Sequence, residues 1–387
     1  MRILYVAMKY DYGRPQQGLS FEHYNFYHSL LHMGHDIVYF DFMTLLQQHG
    51  RNWMNERLIE VARAEKPDVI FTVLFADELD QRVIRTLTED VGIPTVNWFC
   101  DDHWRFDNYS RMWAPCFKWV VTTAQSALSK YAAMGYRNVI KSQWACNPFL
   151  YRRMDIPLTY DVTFIGQPYN DRRNIIQRLR QSGINASAWG TGWESGRVSQ
   201  EEMIRIFNQS RINLNLTTAY GSSSSGGVPR PSTTDNSLRR VLRRFPLMRM
   251  LKLPVEGQAS SGDETVSGDG NAGNGRVEQI KGRNFEVPGC GGFLLTGEAD
   301  TLPEYFVEGE ELVCFRGMDD LINKVRYYLK HEDERAAVAK AGYQRTMREH
   351  TYVHRFRHIF ERMGLAPCEV SASTRPPAPT GHTEEVQ

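Results

Sequence analysis

The chain of 387 residues has room for about two domains, with enough apolar content to fill two cores. Its 46 basic and 45 acidic residues nearly cancel, so it carries no global electrostatic signature of a nucleic-acid binder. Six cysteines (Cys100, Cys116, Cys146, Cys290, Cys314, Cys368) lack any C-x-x-C spacing, which argues against a zinc site or a disulfide framework and for a reducing cytoplasm.

Ile3 to Ala7 reads as a strand, and the charges at Lys9 and Asp11 follow too soon for a signal peptide or a membrane span. A helix over Ser20 to Met33 comes next, then a strand at Ile37 to Phe40 after Gly34. Alternation continues with a helix over Met54 to Ala64, a strand at Val69 to Val73 and a helix over Leu79 to Asp90. Strands at Thr95 to Phe99 and Trp119 to Thr122 precede a helix over Ala124 to Met134. Such alternation implies right-handed crossovers and a mostly parallel sheet covered on both faces. Ligands of such sheets collect at the carboxyl ends of the strands.

Two segments after strands therefore matter in the first half. The polar loop Asp11 to Leu19 leads into a helix start, where backbone amides can hold a phosphate or a sugar hydroxyl, so Gly18, Glu22 and His23 are candidates for the crevice. Ser20 capping the helix, with His23 facing solvent or packed locally, accounts for the same residues. In Trp98 to Phe106, Asp101 and Asp102 stand beside aromatic residues, a pattern suited to sugar binding or base chemistry, while Asp102 is equally read as a helix cap.

A crossing segment at Trp144 to Pro148 sets a boundary near Asn147, dividing a first domain, 1–147, from a second, 148–363. The second opens with a strand, Asp161 to Ile165, then Gly166, Gln167 and a helix start bearing Arg172 and Arg173, an arrangement that can serve a diphosphate. No G-x-G-x-x-G follows Gly190-Thr191-Gly192-Trp193 and no G-x-x-x-x-G-K-[ST] occurs, so nicotinamide, flavin and ATPase fingerprints are missing. After the strand Ile212 to Thr217, residues 221–275 read as a flexible insertion rich in serine and glycine. Within it the basic amphipathic stretch at 238–253 is either a solvated insertion helix or a weak membrane-surface contact.

Glu278 to Thr296 holds two carboxylates eight positions apart, Glu278 and Glu286, with Lys281 and Arg283 between them. Gly291 and Gly292 then turn into the apolar run Phe293 to Leu295. Both carboxylates could face one crevice with cations at hand, a site for a polyhydroxylated, phosphate-bearing ligand; an ordinary solvated charged helix gives the same spacing. A helix at Leu302 to Phe306, a strand at Glu311 to Phe315, helices over Met318 to Lys330 and Glu332 to Arg348, and a last helix to Met363 complete the fold. The tail, 364–387, reads as disordered.

Arg283 to Phe293, Glu310-Glu311-Leu312-Val313, His350-Thr351-Tyr352, the amino-terminal Gly18-Leu19-Ser20-Phe21-Glu22-His23-Tyr24 and the hinge at Trp144 to Pro148 resemble CgeB-like, group 1 glycosyltransferases. The resemblance implies an α/β fold of the GT-B type, in which two Rossmann-like domains face each other across a cleft, donor on the second and acceptor on the first. It implies that Glu286 takes the nucleotide ribose and Glu278 the donor sugar. The diphosphate would meet Arg172 or Arg173 and Lys281 or Arg283. The co-substrate would be a nucleotide-diphosphate sugar, with no cofactor or metal and a retaining reaction. Glu22, His23, Asp101 or Asp102 would position the acceptor or, in an inverting enzyme, act as base. A sugar-nucleotide epimerase and a non-catalytic carbohydrate-binding protein are the other activities the same fold could serve.

Overall fold

The computed structural model describes residues 1–217 and 278–365. The expected insertion helix at 238–253 and the carboxy-terminal tail lie outside the described residues. Everything described falls within one compact unit that contains two parallel sheets.

The first sheet is built from β1 (Arg2–Val6), β2 (Asp36–Phe40), β3 (Val69–Thr72), β4 (Thr95–Phe99), β5 (Trp119–Thr122) and β6 (Val139–Lys141), in the order β2-β1-β3-β4-β5-β6. Each neighbouring pair is parallel. β3 and β4 are buried along their whole length, as strands covered on both faces must be. The helix expected from Ser20 enters through a π turn, His23–Tyr27, before α1 (His28–His32). The stretch after β2 forms an unexpected helix, α2 (Phe42–His49), because Asp41 accepts from the Thr44 amide and caps it while Phe42, Met43 and Leu45 are buried. The crossovers continue with α3 (Arg51–Glu65), α4 (Gln81–Arg85), α5 (Asp102–Arg105), α6 (Arg111–Trp113) and α7 (Gln125–Ala133).

The second sheet consists of β7 (Tyr160–Ile165), β8 (Ala186–Trp189), β9 (Ser210–Asn215), β10 (Leu294–Gly297) and β11 (Val313–Phe315), ordered β11-β10-β9-β7-β8 and again all parallel. Its helices are α8 (Arg172–Gln181), α9 (Gln200–Gln209), α10 (Arg283–Gly289), α11 (Gly317–Lys330) and α12 (Glu332–Glu349). Both sheets reverse strand order beside their first strand, so each opens a crevice at the carboxyl ends of β1 and β3 or of β7 and β9.

One expectation about the domain boundary changes. The last helix, α13 (Tyr352–Arg362), was expected with the second half of the chain. Instead Tyr352, Phe356, Ile359 and Phe360 pack into the core of the first sheet, against Ile3, Phe26 and Phe71. The chain crosses at Cys146 and returns at Thr351, and these two segments pair side by side: Cys146 donates to His350 O at 2.9 Å and Tyr352 donates to Cys146 O at 2.9 Å.

Candidate functional site

At the carboxyl ends of β1, β3 and β4 lies a cleft of about 240 Å³ whose walls carry Asp11, Tyr12, Glu22, Phe75, Asp101 and Arg105. The loop that presents Asp11 and Tyr12 is closed by a bridge from Tyr10 to Leu19 and by Asp11 N donating to Gly18 O at 3.0 Å. Gly18 itself sits at φ +79° with open space around it, so it shapes this loop and does not line the cleft. Arg105 is committed within the wall: it donates to Phe75 O at 2.7 Å and lies 4.1 Å over the Tyr109 ring. That leaves three carboxylates facing the space, and Asp11 is paired across to Arg197 at 2.6 Å. Burial, followed by the charges of Asp11 and Asp101, pushes the Glu22 carboxyl up to about 7. A carboxyl poised there can hold or release a proton near neutrality.

The second sheet contributes from the other side. Arg172, only 6% exposed, donates to Gln167 O at 3.2 Å and Leu216 O at 2.6 Å, and its Nε is buried without a hydrogen-bond partner. Gly166 and Gln167 form the turn over it, pressed against the next loop: a Cβ on Gly190, at φ +136°, would lie 2.5 Å from Gly166 O. Glu278 Oε2 meets Thr217 Oγ1 at 3.4 Å at the end of β9. Burial lowers the Lys281 ammonium to about 8, with Asp101 opposing that effect and Arg172 adding to it. Lys281 thus stands between the carboxylate wall of the first sheet and the guanidinium of the second.

Glu286 is fully buried and pairs through Oε2 with Arg283 one turn earlier, while its Oε1 has no hydrogen-bond partner among the described residues. A Cβ on Gly282 would meet both that Oε1 and the Phe21 ring at 3.1 Å, so the free oxygen points to the seam where the two halves approach. Arg283 is therefore spent on orienting Glu286 and lies 5.4 Å over Phe207, which corrects its expected place beside a diphosphate.

Five further expected site residues point elsewhere. His23 is stacked among Tyr27, Tyr39 and His28, and burial drives its imidazole down to about 3; Ser20 Oγ accepts from its amide, the capping arrangement. Asp102, 1% exposed, accepts from the Tyr131 hydroxyl at 2.8 Å inside the first core and does not line the cleft. Arg173 donates to Gly192 O at 2.6 Å and covers Trp193, bracing a loop. Gly291 and Gly292 lie before β10, at the opposite end of the sheet, because α10 runs antiparallel to the strand it feeds. They allow close packing on Arg153 and on Asn213.

His103 is a further residue beside Lys281 that residue type alone did not single out. Its Nε2 is buried without a partner, and burial, then the charge of Lys281, pushes it down to about 3. Its proximity to Lys281 spans the two halves, so no local pattern announces it. Among the described residues no three His, Cys, Asp or Glu side chains gather as a metal site.

Two parallel α/β sheets with facing crevices, lined by carboxylates on one side and cations on the other, form a two-domain Rossmann-like fold of GT-B architecture, and a family model described as "Glycosyl transferase-like" matches residues 172–231 and 271–361. The fold is shared with HepE from Anabaena, solved with UDP and glucose (12% identity, 94% of this chain and 99% of that chain, TM-score 0.56). It is shared too with sucrose-phosphate synthase from Thermosynechococcus elongatus (9% identity, 94% and 97%, TM-score 0.54). The protein is CgeB-like: it is 21% identical over 315 residues to the spore protein CgeB of Bacillus subtilis (strain 168), covering 77% of this chain and 83% of that protein.

Proposed function

We propose that the protein moves a sugar from a nucleotide-diphosphate sugar to an acceptor hydroxyl, with retention at the anomeric carbon and without a metal. The observation that carries this reading is the buried, unpartnered Oε1 of Glu286 at the seam, in the same segment as the Lys281 cation. A carboxylate oxygen so placed accepts a ribose hydroxyl, and Arg283 holds it oriented. Lys281 and Arg172 neutralise the diphosphate, Gly166 and Gln167 give its oxygens close backbone approach, and Glu278 holds the donor sugar. Glu22 and Asp101 position the acceptor. HepE was solved with UDP and glucose, which supports a nucleotide-sugar donor here.

In the transfer the bond between the anomeric carbon and the diphosphate oxygen breaks, and the acceptor oxygen bonds to that carbon on the same face. The acceptor proton passes to the departing phosphate, whose growing charge the fixed cations stabilise. Among the described residues no helix is long and apolar enough to cross a membrane, and Cys100, Cys116, Cys146, Cys290 and Cys314 are free thiols. Unpaired thiols fit a reducing compartment, and the cytoplasm is part of the proposal.

The test is a panel of nucleotide sugars, with and without hydroxyl acceptors and with a chelator, read by nucleotide release and sugar transfer. Conversion of the sugar without nucleotide release, or binding without turnover, would overturn the proposal. Glu286→Gln, which keeps the shape of the side chain, is expected to weaken nucleotide-sugar binding at least about tenfold, since a charge-assisted hydrogen bond contributes about 1.5–3 kcal/mol. Unchanged affinity would remove the ribose role.

A further inference from the structure

A second cavity, of about 250 Å³, lies at the amino-terminal ends of β9 and β10, the far side of the sheet from the transfer cleft. Four cations line it, Arg153, Arg211, Arg335 and Lys340, against one carboxylate, Glu332. Arg335 is only 4% exposed, fixed by donating to Tyr328 O at 2.6 Å, and its nearest carboxylate, Glu332, stands 3.6 Å away and is 75% exposed. Arg211 pairs with Asp161 at 3.2 Å yet remains close enough to Arg335 to disfavour its charge. Arg153 lies 5.4 Å from the centre of the Tyr343 ring, and among the described residues neither Arg153 nor Lys340 has an ion-pair partner. Gly291, at φ +71°, leaves the room Arg153 occupies: a Cβ there would lie 2.9 Å from the Arg153 side chain.

Two guanidiniums held near each other, one of them buried, with two further cations against Glu332 and the Asp161 that pairs with Arg211, make a concave surface of net positive potential. Water screens it poorly at Arg335, and an anion with several acceptor oxygens relieves the repulsion while satisfying the forks. We propose that this cavity binds a small phosphate-bearing molecule, at a site distinct from the donor cleft and independent of the transfer reaction proposed above. The cluster of cations suits a phosphate with a few carbon atoms attached.

The experiment uses the full chain and titrates inorganic phosphate and glycerol 3-phosphate calorimetrically, with chloride holding the ionic strength constant. The double variant Arg153→Gln, Lys340→Gln changes two exposed side chains outside the core, so folding is expected to persist, and circular dichroism verifies it. Lys281→Gln, in the transfer cleft, is the control. Wild type and Lys281→Gln are expected to bind both probes alike, and the double variant about tenfold or more weakly, from the loss of charge-assisted contacts. The proposal is overturned by absence of binding to the wild type, by undiminished binding to the double variant, or by loss confined to Lys281→Gln.

Discussion

Replacing Glu22 by glutamine should stabilise the fold and impair transfer at the same time, and the two effects have one cause. Burial raises the Glu22 carboxyl from its ordinary value of 4.5 to about 7, so between those pH values the folded chain keeps a proton that the unfolded chain has released. The contribution of Glu22 to stability is therefore complete below pH 4.5 and is lost as pH rises through about 7. At about 1.4 kcal/mol per pH unit the span sets a ceiling of about 3.5 kcal/mol, and solvent reaching the carboxyl through the open cleft reduces the expected value to about 1–2 kcal/mol. Glutamine mimics the protonated acid and avoids that loss. Urea denaturation of both proteins from pH 5 to pH 8 should show a stability difference in favour of Glu22→Gln that grows with pH. Glu78, also raised to about 7 by burial, tilts both curves equally and cancels in the difference. Transfer by the variant should fall about a hundredfold, the loss expected for a positioned proton-handling or orienting group. Parallel stability curves, or transfer at the wild-type rate, would refute the assignment of Glu22 to a desolvated wall of the acceptor cleft.

Lys281, lowered to about 8, should lose its charge in the upper range, so kcat/KM falls as pH rises through about 8; Lys281→Arg, which stays charged, should move that limb upward. Asp101 and Asp102 should separate cleanly. Asp102→Ala leaves the buried Tyr131 hydroxyl unmatched and should cost about 1–3 kcal/mol in denaturation while activity per folded molecule persists, whereas Asp101→Asn should reduce transfer with a stability change within about 0.5 kcal/mol. Gly190→Ala would drive its Cβ to 2.5 Å from Gly166 O at a φ of +136°, so it should destabilise by about 2 kcal/mol or more and weaken nucleotide-sugar binding by displacing the Gly166–Gln167 turn. Thermal melts and donor titrations check both effects.

Much of this protein is legible in the order of its residues. Apolar runs such as Ile3 to Ala7 and Val69 to Phe71, spaced by amphipathic stretches, dictate parallel strands and crossover helices, because a strand buried on both faces is predominantly apolar. The spacing of Glu278 and Glu286 with Lys281 between them, and the polar loops after β1 and β4, also stand in the sequence, because strand ends are where such sheets hold ligands. Direction does not stand there. Asp101 and Asp102 are adjacent in the chain, yet one faces the cleft and the other the core, since successive positions at a helix start point about 100° apart. Arg283 looks like a phosphate ligand until the fold sets it one helical turn from a buried carboxylate that needs it. Gly291 and Gly292 lie five and six residues from Glu286 in sequence but at the other end of the sheet, because a seven-residue helix carries the chain across that distance. The return of α13 to the first core and the meeting of Lys281 with Asp101 and His103 are long-range packing outcomes, decided by which apolar faces cover each other. The sequence by itself determined the two parallel sheets and the chemical groups at their edges, and only the tertiary structure decided which of those groups share one cleft.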